Sequence, residues 1–178
     1  MTTVSVPADI HELLAASELV DVRAWEERAR RLTSVAEDAE ESEVDMRIST
    51  TIGTTDEALH CRFRVTIDDH VARYVADFET VYLVEGYDPR AIPEPLRREF
   101  AERVAFMATY PHARASVLGA AGRLGLRGIV MPLVRQGDFS IGEQMDRSVL
   151  AAVLSDDAGD DPSENSTLSP SGQSGPVE

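Results

Sequence analysis

The sequence predicts an α+β domain, with antiparallel strands first and helices after them. From residue 44 to 84 apolar side chains recur at every second position, and from residue 93 onward they recur every three or four. The strand-like runs are joined by short polar connections, which suits neighbours in an antiparallel sheet.

Residues 44 to 52 set Val44, Met46, Ile48, Thr50 and Ile52 against Asp45, Arg47, Ser49 and Thr51. Residues 59 to 67 repeat the alternation with Leu59, Cys61, Phe63, Val65 and Ile67, and the GTTDE between the two runs supplies a hairpin loop. A third strand follows Asp68-Asp69-His70, with Tyr74, Ala76, Phe78, Thr80, Tyr82 and Val84 on one face. Its other face, Arg73, Val75, Asp77, Glu79, Val81 and Leu83, mixes charge with apolar groups, so part of it meets another surface. Residues 19 to 35 carry two patterns: Val22, Trp25, Ala29, Leu32 and Ala36 at helical spacing, and Val20, Val22 and Ala24 in alternation. Local propensity favours helix there.

After Gly86 the pattern turns helical. Pro93-Glu94-Pro95 opens a segment with Leu96, Phe100, Val104 and Met107 on one face, which Pro111 is expected to interrupt. A second helix then starts at Pro111 and carries a stripe of mostly small residues: Ala113, Ser116, Val117, Ala120, Ala121 and Leu124. Small side chains allow close backbone approach, either to the chain's own sheet or to a second subunit. Gly125 is placed to end the helix.

Charge narrows the function. The net charge of −15 argues against binding by neutralisation of a phosphate backbone, which needs clustered Lys and Arg, so nucleic acid is not an expected partner. Residues 37 to 45 and 156 to 178 each hold six acids and no base, which accounts for 12 of the 15 excess charges and leaves the rest nearly balanced. Such blocks are read as solvated segments that keep the protein soluble. The final block, rich in Asp, Ser, Gly and Pro, is expected to be a disordered tail.

The first residues, MTTVSVPADIHELL, lack the basic start and apolar block of a signal peptide, and no segment reaches the ~18 apolar residues of a membrane span. The expectation is a cytoplasmic protein without membrane insertion, and the single cysteine, Cys61, agrees with a reducing compartment.

The stretch TYPHARASVLGAAGRLGLRGIVMPLV, residues 109 to 134, follows the strands with Pro111-His112-Ala113-Arg114 and runs through Arg123 to an apolar segment containing Pro132. In this order and in this motif the sequence resembles the SecB export-chaperone family over roughly residues 19 to 135. The resemblance implies a SecB-like four-stranded antiparallel sheet followed by helices packed on one face, and hence a strand rather than a helix at residues 19 to 33. It implies an N-terminal extension at 1–18, partly helical, a SecB-like domain at 19–155 and the tail at 156–178, with residues 143 to 154 as a replacement closing helix.

The resemblance also implies a function: an ATP-independent holdase, homotetrameric in the family, that binds non-native polypeptides without a cofactor and passes them to the SecA motor. Its client contacts fall on Leu126, Ile129, Val130, Met131, Leu133 and Val134, with Tyr74 and Phe78 extending the groove. A subunit interface, in a dimer or tetramer, falls on Ala113, Ser116, Val117, Ala120 and Leu124. SecA docking falls on Val75 and Asp77, although pairing of Asp77 or Glu79 with Arg62 or Arg64 accounts for the same acids. The extra segment His11 to Leu19 resembles divergent SecB-like proteins that guard antitoxins, so an antitoxin is the alternative client.

A different class of reading is a small-ligand or catalytic domain built on His60, Cys61, Asp68, Asp69 and His70. Alternation sends His60 and Cys61 to opposite faces, and Asp68-Asp69-His70 falls where a turn is expected. Gly119, Gly122, Gly125 and Gly128 match neither a dinucleotide fingerprint nor a phosphate loop.

Overall fold

The computed structural model describes residues 5–32, 44–126 and 131–142. A short helix α1 (Ile10–Ala15) leads into four strands, β1 (Ser17–Arg31), β2 (Asp45–Thr54), β3 (Ala58–Asp68) and β4 (Ala72–Val84). After a 3-10 turn at Pro89–Ala91 the chain is helical from α2 (Glu94–Phe100) through a π-helical turn (Ala101–Ala105) into α3 (Phe106–Arg123). The sheet has the order β1-β4-β3-β2 with every neighbour antiparallel, so β1 and β2 are its two edges.

Of the stretch 19 to 33, residues 19 to 31 are strand, as the resemblance implies and against local propensity. β1 pairs with β4 along its whole length, with register shifts at Val20 and Trp25 that keep Val22, Ala24 and Ala29 on the helix side. Tertiary pairing outweighs helix propensity here because propensity differences are only about 0.7 kcal/mol per residue or less.

Pro111 does not interrupt the helix. The backbone stays helical on both sides of it, anchored by the buried Tyr110 and Ala113. Tyr110 also donates its hydroxyl to the Pro132 carbonyl at 2.8 Å. The break in regularity lies upstream, where the Phe106 N–H reaches back five residues to the Ala101 carbonyl. That wide turn inserts a residue into the helical period. The buried face therefore moves from the expected Val104 and Met107, which are half-buried, onto Ala105, Phe106, Thr109 and Tyr110.

α3 lies over β4, flanked by β1 and β3, and the small-residue stripe is what permits the close approach. Ala113, Val117, Ala120 and Ala121 are buried against the chain's own sheet, and Ser116 and Leu124 are half-buried. This corrects the subunit-interface assignment of Ala113, Val117 and Ala120, since their surface is already covered within the chain. Gly125 ends the helix at φ 68°. Its N–H bonds the Gly122 carbonyl and the Leu126 N–H bonds the Ala121 carbonyl, the paired closure that a left-handed residue allows.

Beyond the helix, residues 131–142 return across the helix side. Phe139 stacks on Phe106 with ring centroids 3.9 Å apart, and both meet Phe63 edge-on. Glu102 accepts the Ile141 N–H at 2.7 Å, tying this segment to the π turn.

Candidate polypeptide-binding surface

The strands of the sheet are covered unequally. On its inner side β4 is sealed by α3, with Tyr74, Ala76, Thr80 and Tyr82 buried. On β2 only Met46 is buried among the inner residues, while Ile48, Thr50 and Ile52 are half-buried. Among the described residues, the returning segment 131–142 joins this edge of the sheet in lining a cavity, through Phe139 and Gly142. The cavity, of about 570 Å³, opens at that edge. Met46, Ile48 and Phe139 line it from the helix side, and Arg47, Ser49, Arg64, Thr66, Asp68 and Arg73 from the outer face.

The sequence-expected client residues divide by accessibility. Leu133 is 74% exposed, and Leu126 and Val134 are half-buried. Met131, Tyr74 and Phe78 are buried in the chain's own core, so contact with a client at these three is corrected to a structural role. Phe78 packs near the His112 ring, and burial pushes the Tyr74 hydroxyl up. Ile129 and Val130 lie outside the described residues, as do residues 143 to 178 and most of the acidic stretch 37 to 45. Alternation along β2 marks Ile48 and Ile52 as inward-facing, but alternation does not reveal that the helices stop short of them.

The outer face is a lattice of ion pairs. Arg62 binds Asp77 through two nitrogens at 2.7 Å each, and Arg64 adds a third bond at 3.0 Å. Asp77 is only 1% exposed. Burial pushes its carboxyl up, but the bonds and charges of Arg62 and Arg64 outweigh that and hold it below the usual range. Glu79 accepts from the Trp25 indole at 3.2 Å and lies 3.3 Å from His60. The Arg62 guanidinium sits 4.6 Å from the Trp25 ring centre. Val75 is also buried. The expected cross-strand pairing therefore holds for Asp77, whose charge is covered by arginines instead of facing solvent.

The catalytic cluster does not assemble. His60 faces outward toward Glu79, whereas Cys61 is buried inward with its thiol pushed up to about 12 by desolvation and, secondarily, by Glu79. Asp69 and His70 serve the β3–β4 turn, where Asp69 accepts the His70 N–H at 2.7 Å. A thiol held that high is a poor nucleophile.

No family model matches the chain. A relative does: the SecB-like chaperone SmegB of Mycolicibacterium smegmatis is 38% identical over 138 residues, 78% of this chain and 89% of that protein. The chain belongs to the SecB-like chaperone family. Among solved structures, the SecB-like chaperone of Mycobacterium tuberculosis in complex with a ChAD peptide from the HigA1 antitoxin shares the fold. It matches with a TM-score of 0.57 at 20% identity, over 70% of this chain and 92% of that one. The SecB-like fold thus accounts for both the four-stranded sheet and the helices on one face.

Proposed function

We propose that this SecB-like chain is an ATP-independent holdase that retains non-native polypeptide along the inner side of β2 and the 131–142 segment. The observation that carries the reading is the only partly covered apolar side of that strand. Ile48 and Ile52 are half-buried, Leu133 is exposed and Val134 and Leu126 are half-buried, whereas β3 and β4 are buried on their inner side. Apolar burial contributes about 25 cal/mol per Å² whatever the side chain, so such a surface holds many unfolded sequences with little discrimination. It requires no cofactor.

An antitoxin as client is supported by the antitoxin peptide bound to the Mycobacterium tuberculosis relative. A hand-over to SecA at Val75 and Asp77 has weaker support, because both side chains are buried and Asp77 is neutralised by Arg62 and Arg64. Assembly into a dimer or tetramer in the cytoplasm belongs to the same proposal. Surface for assembly is available on the solvent side of α3, at Ala115, Leu118, Gly119 and Gly122, and at Leu19 and Val20 of β1.

The test is suppression of aggregation of a chemically unfolded protein, in the absence of nucleotide, by the wild type and by Ile48→Ser/Leu133→Ser. Suppression by the wild type and its loss in the folded variant is the expected pair of results. A wild type that leaves aggregation unchanged rejects the holdase.

A further inference from the structure

The cavity at the β2 edge has two chemically different walls, and they face opposite sides of one strand. Met46, Ile48 and Phe139 make the helix-side wall, while Arg47, Arg64 and Arg73 stand on the outer side. Resting on the holdase reading, we propose that this edge takes an extended client segment by strand addition and selects one in which apolar and acidic residues alternate.

The alternation follows from geometry. β2 is an edge strand, so one side of its backbone has no strand partner among the described residues. A chain added there continues the pleat, and its successive side chains point to opposite faces. One set falls on the apolar wall and the other on the arginines.

The acid preference follows from how those arginines are occupied. Arg47 and Arg73 both bind the single carboxylate of Asp68, which is the one acid among the described residues of the lining. Arg47 also reaches Asp45 at 3.1 Å. Arg64 directs one nitrogen to Glu26 at 2.7 Å and Asp77 at 3.0 Å, acids that are not among the described lining residues. Arg47 and Arg73 are well exposed. Guanidinium groups with unused donors favour an incoming carboxylate, and a basic side chain at the same place meets three like charges. Among the described residues the lining carries three arginines and one acid, in a chain of net charge −15.

Fluorescence anisotropy with labelled eight-residue peptides tests this on the full chain. One peptide alternates Val and Glu, one alternates Val and Lys, and one carries the same Val and Glu residues in two blocks. The alternating Glu peptide is expected to bind about ten-fold more tightly than the Lys peptide, as one to two charge-assisted hydrogen bonds allow, and more tightly than the block peptide. Arg47→Gln/Arg73→Gln is expected to bring the Glu and Lys peptides within about two-fold of each other, since a neutral amide keeps hydrogen bonding but not charge. Asp68→Asn, a second route if the double variant does not fold, is expected to tighten binding of the Glu peptide. A wild type that suppresses aggregation but binds Glu and Lys peptides equally overturns the acid preference and leaves the holdase standing. Equal binding of the alternating and block peptides overturns strand addition, and absence of aggregation suppression rejects the underlying reading instead.

Discussion

β4 and β2 begin from similar patterns and end with different coverage. Both alternate apolar with polar residues, yet β4 is buried on the helix side by α3 and largely buried on the outer side by ion-paired neighbours, whereas β2 keeps Ile48 and Ile52 only half-covered. The difference arises from position. A central strand has neighbours on both sides and a helix above it, and an edge strand has one neighbour and, here among the described residues, the short returning segment. On the proposed reading the sealed strands hold the shape and the incompletely covered one holds the client.

The sharpest way to break the comparison is to attack the sealed half. Ala120→Glu puts a carboxylate between α3 and the sheet, at a residue buried to 6% exposure, and is expected to cost about 4 kcal/mol or more, enough to unfold a marginal domain. Far-UV circular dichroism through a urea titration checks it. A folded Ala120→Glu variant that changes only in oligomeric state would restore the small-residue stripe as a subunit interface.

Phe106→Ala comes next. It removes a ring that contacts both Phe63 and Phe139, and is expected to lower stability by about 3–5 kcal/mol. Because Phe139 also lines the β2 cavity, client affinity should fall with it in any molecules that remain folded.

Asp77→Asn probes the outer face and carries a pH signature. The Asp77 carboxyl is held below its ordinary value, so the stability it contributes is fully present above the unfolded pKa of about 3.9 and is lost as pH falls through the lower folded value. The variant should therefore be less stable than wild type by about 2 kcal/mol near pH 7, the range for hydrogen bonds to charged groups, with the gap closing below about pH 4. Urea midpoints across that window measure it. A gap that is constant with pH would show that Asp77 acts by packing alone.

The smallest stability effects belong to the open half. Ile52→Ser is expected to cost about 1.5 kcal/mol, less than for a fully buried side chain, and Leu133→Ser about 0.5 kcal/mol or less because the residue is already exposed. Each should weaken client binding several-fold, which isothermal calorimetry with an unfolded polypeptide would read. A large stability loss at Leu133 with unchanged client affinity would reverse the assignment.

Strand alternation alone was enough for β2, β3 and β4, because a period of two places one whole face in the core. The Schellman closure at Gly125 was also legible, since few other residues adopt its positive φ. β1 was not readable from its own residues. Val20 and Trp25 sit at register shifts that break the alternation, and the pairing with β4 that makes the segment a strand lies more than forty residues away in sequence. The chaperone family was legible at residues 109 to 134, where the motif and the apolar exit stand together. Which of its apolar residues face a client was not, because Met131 and Leu133 are equally apolar in sequence while one is buried and the other exposed. Periodicity and turn chemistry are local, so the sequence by itself determined the elements and their order. Coverage is set by where the elements come to lie against one another, so only the tertiary structure decided that α3 seals β4, that arginines bury Asp77, and that β2 is left open.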